Sequence, residues 1–244
     1  MIKTLINSLF LWLMITDGFG TTTPSTKTVS MACNHFPPLK IENGDLNMPG
    51  ADIEVLSTTF ALSSIQVKTT FFPWKRALVL AQNGKYDGLC SCSYTKDREN
   101  DFYFSNEIGQ NSIGIYTLKK EQPGSLKKLK GKSIGVVRGY NLEEELKKYQ
   151  VKIVAGASDI NLLKMLKAKR IDAVYSYKTV IAELAKSNPF ISELYFHEVY
   201  AAPYFTCFSK KIKNGKSLLN IFNKNLETIK EDGTYLKIKK KYGL

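Results

Sequence analysis

Runs rich in β-branched and aromatic residues alternate along the chain with segments that have apolar positions at helical spacing. The predicted strands are residues 27–32, 65–72 and 87–93. The predicted helices are residues 51–62 and 74–82, together with a last helix whose apolar stripe, from Leu218 to Ile229, faces the core. Strands that alternate with helices are typical of an α/β fold with a mainly parallel sheet.

One unit of a helix followed by a buried strand occurs twice, 85 residues apart. Residues 77–89 match residues 162–174. Before its strand, the first copy has the turn Lys85-Tyr86-Asp87-Gly88, and the second copy has Arg170-Ile171-Asp172-Ala173. The repeat predicts two lobes, each built on a mainly parallel sheet. Ligands bind beyond the carboxyl ends of such strands, here residues 91–95 and 176–178, so we expect a cleft where the two ends face each other.

The beginning of the chain has the pattern of a secretory signal peptide over residues 1–20. A lysine at position 3 precedes an apolar stretch, and Gly18 and Gly20 provide a cleavage site between small residues. The alternative is a membrane anchor, but the 12 residues of 4–15 are fewer than the roughly 20 that a spanning helix needs. We therefore expect a periplasmic mature protein.

The chain has 244 residues, of which 43% are hydrophobic, so it is long enough to bury a full core. Its net charge of +13 is compatible with nucleic acid, an anionic surface or an anionic ligand as partner. The lysines, however, are spread over residues 119–132, 147–169 and 210–241 without the interleaved aromatic residues of a base-stacking surface. This pattern favours a solvated basic surface, and no nucleic-acid partner is predicted.

The four cysteines, Cys33, Cys90, Cys92 and Cys207, would all meet an oxidising compartment after export. Cys90 and Cys92 lie on one face of a predicted strand, so each would pair with Cys33 or Cys207 more readily than with the other. The sequence leaves open whether a disulfide forms and which pair forms it. A Cys-x-Cys without a second pair is a weak metal signal, so neither a metal nor another cofactor is predicted.

The segment 91–98, SCSYTKDR, carries the main candidate site. Ser91 and Ser93 project from one face of their strand, Thr95 can cap a short helix, and Arg98 follows one turn later. Two hydroxyl groups, free helix N–H groups and a guanidinium in one small volume suit a carboxylate. The alternative is that Arg98 pairs on the surface with acidic neighbours between residues 97 and 101, and the spacing does not decide between the two.

A series of motifs runs in order along nearly the whole mature chain. The motifs are Phe36-Pro37-Pro38, Gly50-Ala51-Asp52-Ile53-Glu54, Gly84-Lys85-Tyr86-Asp87-Gly88, Thr95-x-x-Arg98 with Phe104-Ser105, Leu129-Lys130-Gly131-Lys132, Gly135-Val136-Val137-Arg138-Gly139, Asp232-Gly233-Thr234-Tyr235 and Lys241-Tyr242-Gly243. Each is short, but the ordered set resembles the extracellular solute-binding proteins of family 3, the amino-acid receptors of ABC importers.

The resemblance implies a periplasmic binding protein-like fold of type II, with two α/β lobes that are joined by two crossing strands. Lobe I would comprise residues 21–111 and 204–244, and lobe II residues 112–203. It also implies a monomeric receptor that closes around a small carboxylate or amino-acid ligand and delivers it to an inner-membrane ABC permease.

The resemblance also assigns roles to residues of the expected cleft. Arg98 falls at the position that binds the ligand carboxylate, with Ser91 and Ser93 as hydroxyl or backbone partners. Asn141 falls at the second lobe's contribution to the same group. Phe36 and Trp74 fall at positions that sandwich the ligand side chain, although Trp74 could instead pack within its own lobe.

The sequence departs from the family pattern at Tyr177. Amino-acid receptors usually have an acidic residue there, which binds the ligand's ammonium group. A tyrosine can accept a hydrogen bond or offer a cation–π face, but it cannot neutralise an ammonium. The ligand class is therefore left open between an α-amino acid and a carboxylate with a weaker or displaced cationic group.

Two other functions use the same fold. A periplasmic enzyme of the dehydratase type would need an acid or base in the cleft, but the chain has only His35 and His197, and neither has the partners of a nucleophilic triad. Gly131-Lys132-Ser133 lacks the first P-loop glycine, because position 126 is Leu126. A non-enzymatic protein is therefore predicted. A ligand-sensing module for a membrane signalling partner would have the same lobes, so the sequence does not separate it from a transport receptor.

Overall fold

The computed structural model describes residues 27–45, 47–120 and 125–244, so the predicted signal peptide lies outside the described residues. The strands are β1 (Lys27–Cys33), β2 (Ile65–Phe71), β3 (Gly88–Ser93), β4 (Phe102–Thr117), β5 (Ser133–Val137), β6 (Lys152–Gly156), β7 (Ala173–Tyr177) and β8 (Tyr195–Ser209). The α-helices are α1 (Ala51–Ala61), α2 (Trp74–Gln82), α3 (Asn141–Leu146), α4 (Asp159–Lys167), α5 (Lys178–Ala185), α6 (Gly215–Glu231) and α7 (Thr234–Lys241).

These strands form one continuous sheet in the order β2-β1-β3-β8-β4-β7-β5-β6. At one end β1 is parallel to β2 and β3, and at the other end β5 is parallel to β6 and β7. The two central strands, β4 and β8, are antiparallel to each other and to their outer neighbours. The repeat thus predicted the parallel ends of the sheet but not its antiparallel centre.

The long strands β4 and β8 connect the two ends of the sheet. They pair from Phe102 with Ser209 to Thr117 with Tyr195, while β8 also pairs with β3 and β4 with β7. We call the end with β1–β3 the first lobe and the end with β5–β7 the second lobe. The predicted two-lobed fold with two crossing strands is confirmed. The lobe boundaries at 111/112 and 203/204 fall within this pair of strands and stay a prediction.

The sequence repeat corresponds to a repeated structural role for one aspartate. Asp87 Oδ2 accepts a hydrogen bond from Ser30 N at 2.7 Å, and Asp172 Oδ2 accepts one from Ser133 N at 2.8 Å. In each copy the backbone N–H of the aspartate donates to the carbonyl of the same serine, at 2.8 Å. These hydrogen bonds attach the turn after the helix to the neighbouring parallel strand. They thereby fix the register of the next strand against that neighbour.

The C-terminal helix α6 packs on the first lobe through its apolar stripe, as predicted. Leu218, Phe222, Leu226 and Ile229 are buried, and the Phe222 ring lies 5.8 Å from that of Phe60 in α1. Burying such side chains contributes roughly 1.5–3 kcal/mol each. Within the described residues, no helix combines the length and the hydrophobicity needed to cross a membrane.

All four cysteines form disulfides. Cys33 of β1 is bonded to Cys90 of β3, and Cys92 of β3 to Cys207 of β8. The two cysteines of β3 thus pair with different partners, as their position on one strand indicated. The two bonds connect three adjacent strands of the first lobe directly beside Ser91 and Ser93.

Candidate functional site

The seven candidate site residues come from the ends of elements that meet between the lobes. Phe36 follows β1, Trp74 begins α2, Ser91 and Ser93 lie at the end of β3, and Arg98 begins a short 3-10 turn. From the second lobe, Asn141 begins α3 and Tyr177 ends β7. The prediction that the carboxyl ends of the strands in the two copies of the repeat face each other is therefore correct for β3 and β7.

All seven residues line one cavity, which has about 380 Å³ of space not occupied by atoms. This volume includes space that is open to solvent. The structure adds residues to the lining that the site prediction did not include: Asn34, Leu39, Lys40, Cys92, Asn111, Tyr140 and Tyr204. Their ligand-binding roles, and those of the seven, stay predictions.

Arg98 is held inside the cavity by backbone groups. Thr95 Oγ1 accepts a hydrogen bond from Arg98 N at 3.2 Å, which is the predicted cap. Nη1 donates to Ser93 O at 2.8 Å and Nη2 to Gly139 O at 3.1 Å. These bonds use two of the five N–H groups of the guanidinium, so three remain for a ligand. Burial lowers the pKa of Arg98 and Tyr177 raises it, but the guanidinium stays charged.

The surface alternative for Arg98 is wrong. Its exposed fraction is 6%, and among the residues that the structure describes no carboxylate is within ion-pairing distance of it. The acidic neighbour Glu99 pairs with Lys96 instead, at 2.9 Å.

Trp74 reaches from the first lobe to the second. Its Nε1 donates to Gly139 O at 2.7 Å, and its ring also lies 5.1 Å from the Arg98 guanidinium carbon. Gly139 O therefore accepts hydrogen bonds from two side chains of the opposite lobe. Gly139 has φ +79, and a Cβ there would lie 2.9 Å from Lys75 Cδ, so glycine suits this close approach. The alternative that Trp74 packs only within its own lobe is therefore wrong.

A second connection between the lobes runs through hydroxyl groups. Ser93 Oγ and Tyr177 OH lie 3.0 Å apart, and Tyr177 OH donates to Asn141 Oδ1 at 2.6 Å. Burial raises the pKa of Tyr177 to about 12, while the Ser93 hydrogen bond and Arg98 lower it. Tyr177 is thus a neutral hydrogen-bonding group at the position where the resemblance leads us to expect an acid.

Four aromatic rings make up the apolar part of the cavity wall. The Tyr177 ring centroid lies 5.6 Å from that of Phe36 and 5.4 Å from that of Tyr140. The Trp74 and Tyr140 centroids are 6.2 Å apart. The rings meet edge to face, which is the favourable arrangement for aromatic pairs. They exclude water from the polar groups beside them and so strengthen the electrostatic interactions there.

Lys40 is the main site residue that sequence reasoning missed. It is only 5% exposed, and its Nζ donates to Ser91 Oγ at 2.8 Å. Burial lowers its pKa to about 8, although Asp52 raises it. A lysine is seldom fully buried, so the sequence favoured a surface position. The one local signal was its place four residues after Phe36, whose backbone it pairs with across a tight turn.

The cavity lining combines two cationic side chains with neutral groups. Lys40 and Arg98 are its charged members, and none of the described residues that line it is a carboxylate or a histidine. The His35 ring accepts a hydrogen bond from Glu42 N at 3.1 Å, and the His197 ring lies 3.0 Å from Thr117 Oγ1. Elsewhere in the described chain no cluster of His, Cys, Asp and Glu is arranged for a metal ion.

Comparisons with known proteins agree with this architecture. The chain is 27% identical over 208 residues to ABC transporter arginine-binding protein 1 of Escherichia coli (strain K12), covering 83% of this chain and 85% of that protein. It is 26% identical over 228 residues to a probable histidine-binding protein of Neisseria gonorrhoeae, covering 88% and 83%. Among solved structures, an ancestral arginine-binding protein bound to arginine has a TM-score of 0.78 at 27% identity, covering 88% of this chain and 97% of that one.

The profile described as bacterial extracellular solute-binding proteins, family 3, matches residues 29–244. This range includes both lobes, both crossing strands and every residue of the cavity. The resemblance read from the ordered motifs is thereby confirmed, and this chain belongs to the bacterial extracellular solute-binding proteins of family 3.

Proposed function

We propose that this protein is a periplasmic receptor that captures a small carboxylate-bearing ligand between its lobes and delivers it to an inner-membrane ABC permease. The observation that carries the proposal is the buried Arg98, which lines an aromatic cavity and has N–H groups that its backbone acceptors leave unused. The named relatives bind arginine or histidine, which supports a ligand of amino-acid size.

In this proposal, different residues of the cavity bind different parts of the ligand. Arg98 holds the carboxylate with its remaining N–H groups, and Ser93 and Asn141 supply polar contacts from the two lobes. Phe36 and Trp74 cover the apolar part of the ligand. Three or four charge-assisted hydrogen bonds of roughly 1.5–3 kcal/mol each are enough for about micromolar affinity, near −8 kcal/mol.

Hinge closure is the proposed mechanism of capture. The contacts of Gly139 O with Trp74 and Arg98 form only when the lobes meet. A carboxylate on Arg98 adds attraction in the same state, so ligand shifts the population towards closure. A permease that recognises the closed surfaces of both lobes would then distinguish loaded receptor from empty receptor.

The proposal is for a receptor without catalytic activity. The ionisable groups of the cavity are Lys40, Arg98 and tyrosines, and burial raises the pKa of Tyr140, Tyr177 and Tyr204. These tyrosines are poor general bases near neutral pH, and Lys40, whose pKa is lowered to about 8, is assigned to anion binding because it donates to Ser91 Oγ. We also propose that the protein is exported as predicted, with residues 1–20 removed, and acts as a monomer. Intact mass and light scattering of protein from the periplasm test both points.

The first experiment is a thermal-shift screen of the mature protein against the twenty amino acids, small carboxylates and amines. A ligand at a hundred times its dissociation constant adds about 2.7 kcal/mol of stability, which is easily detected. Calorimetry on each hit then compares Arg98→Met with Arg170→Met, since Arg170 is exposed and outside the cavity. We expect the first variant to lose binding and the second to keep it. Equal affinity in both would refute the carboxylate site.

A further inference from the structure

We propose that Lys40 is a second anion anchor in the cleft, and that the ligand of this protein is a short dicarboxylate without an ammonium group. The inference rests on the proposed function, because it assigns Arg98 to one carboxylate and adds a partner for another. It names the class of ligand that the geometry of the cavity selects.

The first argument is the position of Lys40. Its side chain lines the same cavity as Arg98 and is almost completely buried. Its Nζ lies 2.8 Å from Ser91 Oγ and 5.2 Å from the Phe36 ring centroid. Within the described chain no carboxylate is at ion-pairing distance from this nitrogen. A buried ammonium with one neutral partner has N–H groups left for an acceptor, and a carboxylate is the acceptor that binds it best.

The second argument is the spacing of the two cations. Lys40 is bonded to Ser91, and Arg98 to the carbonyl of Ser93. These serines are two residues apart on β3, which corresponds to roughly 7 Å along a strand. We infer from this spacing of their partners that Lys40 and Arg98 are far enough apart to bind the two carboxylates of a chain of four to six carbons. The aromatic rings of the cavity then cover the methylene groups between them.

The third argument is that the described lining of the cavity has no negatively charged side chain. Its described lining contains two cations and no carboxylate, and Tyr177 replaces the acid that would bind an ammonium. An α-amino acid would bring its ammonium into a cationic, dehydrated site without a counter-charge, which is costly. A dicarboxylate would instead neutralise both Lys40 and Arg98.

Neighbouring charged groups prepare Lys40 for this role. Asp52 of α1 interacts electrostatically with Lys40 and with Lys239 of α7, and Tyr204 of β8 donates to Asp52 Oδ1 at 3.0 Å. Lys239 Nζ donates to Tyr204 OH at 3.1 Å. Asp52 therefore helps to keep Lys40 protonated, and it also interacts with the Ser91 hydroxyl that accepts the hydrogen bond of Lys40. Lys40 lines the cavity, so its remaining N–H groups are available to a ligand acceptor there.

The test uses three ligands with the same five-carbon chain. Glutarate has two carboxylates, pentanoate has a methyl group in place of one, and L-glutamate adds an ammonium to glutarate. Calorimetry at pH 7 should show that glutarate binds at least about tenfold more tightly than either of the others, because pentanoate lacks one charge-assisted hydrogen bond and glutamate buries an ammonium without a counter-charge. Succinate and adipate test the neighbouring chain lengths. Equal or tighter binding of pentanoate or glutamate would overturn the inference.

Two variants locate the second anchor. Lys40→Met should lower glutarate affinity at least about tenfold and leave pentanoate affinity unchanged, whereas Lys237→Met, an exposed matched lysine, should change neither. If Lys40→Met binds glutarate like the wild type, the inference fails while the proposed function stands. If no carboxylate binds the wild type, both fail.

A measurement on the wild type does not depend on the folding of any variant. A carboxylate on Lys40 raises the pKa of that lysine from its low value of about 8. Glutarate binding should therefore take up protons at pH 8–9 and weaken by up to about tenfold per pH unit above the free pKa. Pentanoate on Arg98 alone should show neither effect. Glutarate binding that is independent of pH between 7 and 10 would exclude Lys40 as an anchor.

Discussion

The hydrogen bond between Trp74 Nε1 and Gly139 O should control how firmly the lobes close. It is 2.7 Å long and crosses from the first lobe to the second. Trp74→Phe removes the donor and keeps an aromatic ring against Tyr140. Because Arg98 still donates to Gly139 O, the acceptor is not left unsatisfied. The loss is then that of one ordinary hydrogen bond, about 0.5–1.5 kcal/mol.

That free energy belongs to the closed state alone, so it appears in ligand affinity. The expected effect is a weakening of about 2- to 13-fold, measured by calorimetry with glutarate and with any amino acid that the screen identifies. The free energy of unfolding of the ligand-free protein should change less, because open molecules do not make this contact. Faster ligand release should account for most of the change.

Tyr235→Phe provides the matched control. Its hydroxyl donates to Ile108 O at 3.0 Å, which is also a bond from a side chain to a carbonyl, but both residues belong to the first lobe. This variant should lose a similar amount of stability, about 0.5–1.5 kcal/mol in urea unfolding, and keep wild-type affinity. If Trp74→Phe keeps wild-type affinity, or if both variants lose affinity equally, the contact does not stabilise closure.

Two further predictions concern bonds that the structure shows. Removing the Cys92–Cys207 disulfide, which spans 115 residues, should lower the free energy of unfolding by about 3–5 kcal/mol, measured in urea on the double serine variant; an unchanged midpoint would contradict this. Tyr177→Phe removes the hydroxyl between Ser93 and Asn141, so ligand affinity should fall about 2- to 13-fold with little change in thermal stability. Calorimetry that shows no loss would mean that this chain of hydroxyl groups does not hold the lobes together.

The elements of the first lobe were predictable from sequence because their signals are local. The predicted helix at residues 74–82 matches α2, and the predicted strand at 65–72 differs from β2 by one residue. Proline, glycine and apolar spacing mark such boundaries directly. The pairing of β4 with β8 brings together residues about 100 positions apart in sequence, and no local pattern specifies a partner at that distance. The two crossing strands were predicted only from the family resemblance.

The candidate site, like the fold, was predictable only where the sequence has a local signal or a family motif. Residues with a signal in the motif around Arg98, or with a family position such as Trp74, line one cavity, and their ligand-binding roles stay predictions. Lys40 was not found, because its burial and its electrostatic interaction with Asp52 follow from the tertiary packing around it, which no local pattern specifies. Hydrophobic patterning identifies apolar core residues, but it assigns a lysine to the surface by default.

Lys40 and Tyr177 are best understood together. An acid at position 177 would have bound a ligand ammonium, and it would also have opposed the cationic cavity that Lys40 and Arg98 create. With a neutral tyrosine there, the two buried cations lack a counter-charge from the protein lining, and closure around an anion supplies it. Each carboxylate of a dicarboxylate offsets the desolvation of one cation, so the charge that destabilises the empty closed state stabilises the loaded one. We therefore expect Lys40 and Tyr177 together to disfavour the ammonium of an amino acid and to couple closure to the presence of a dianion.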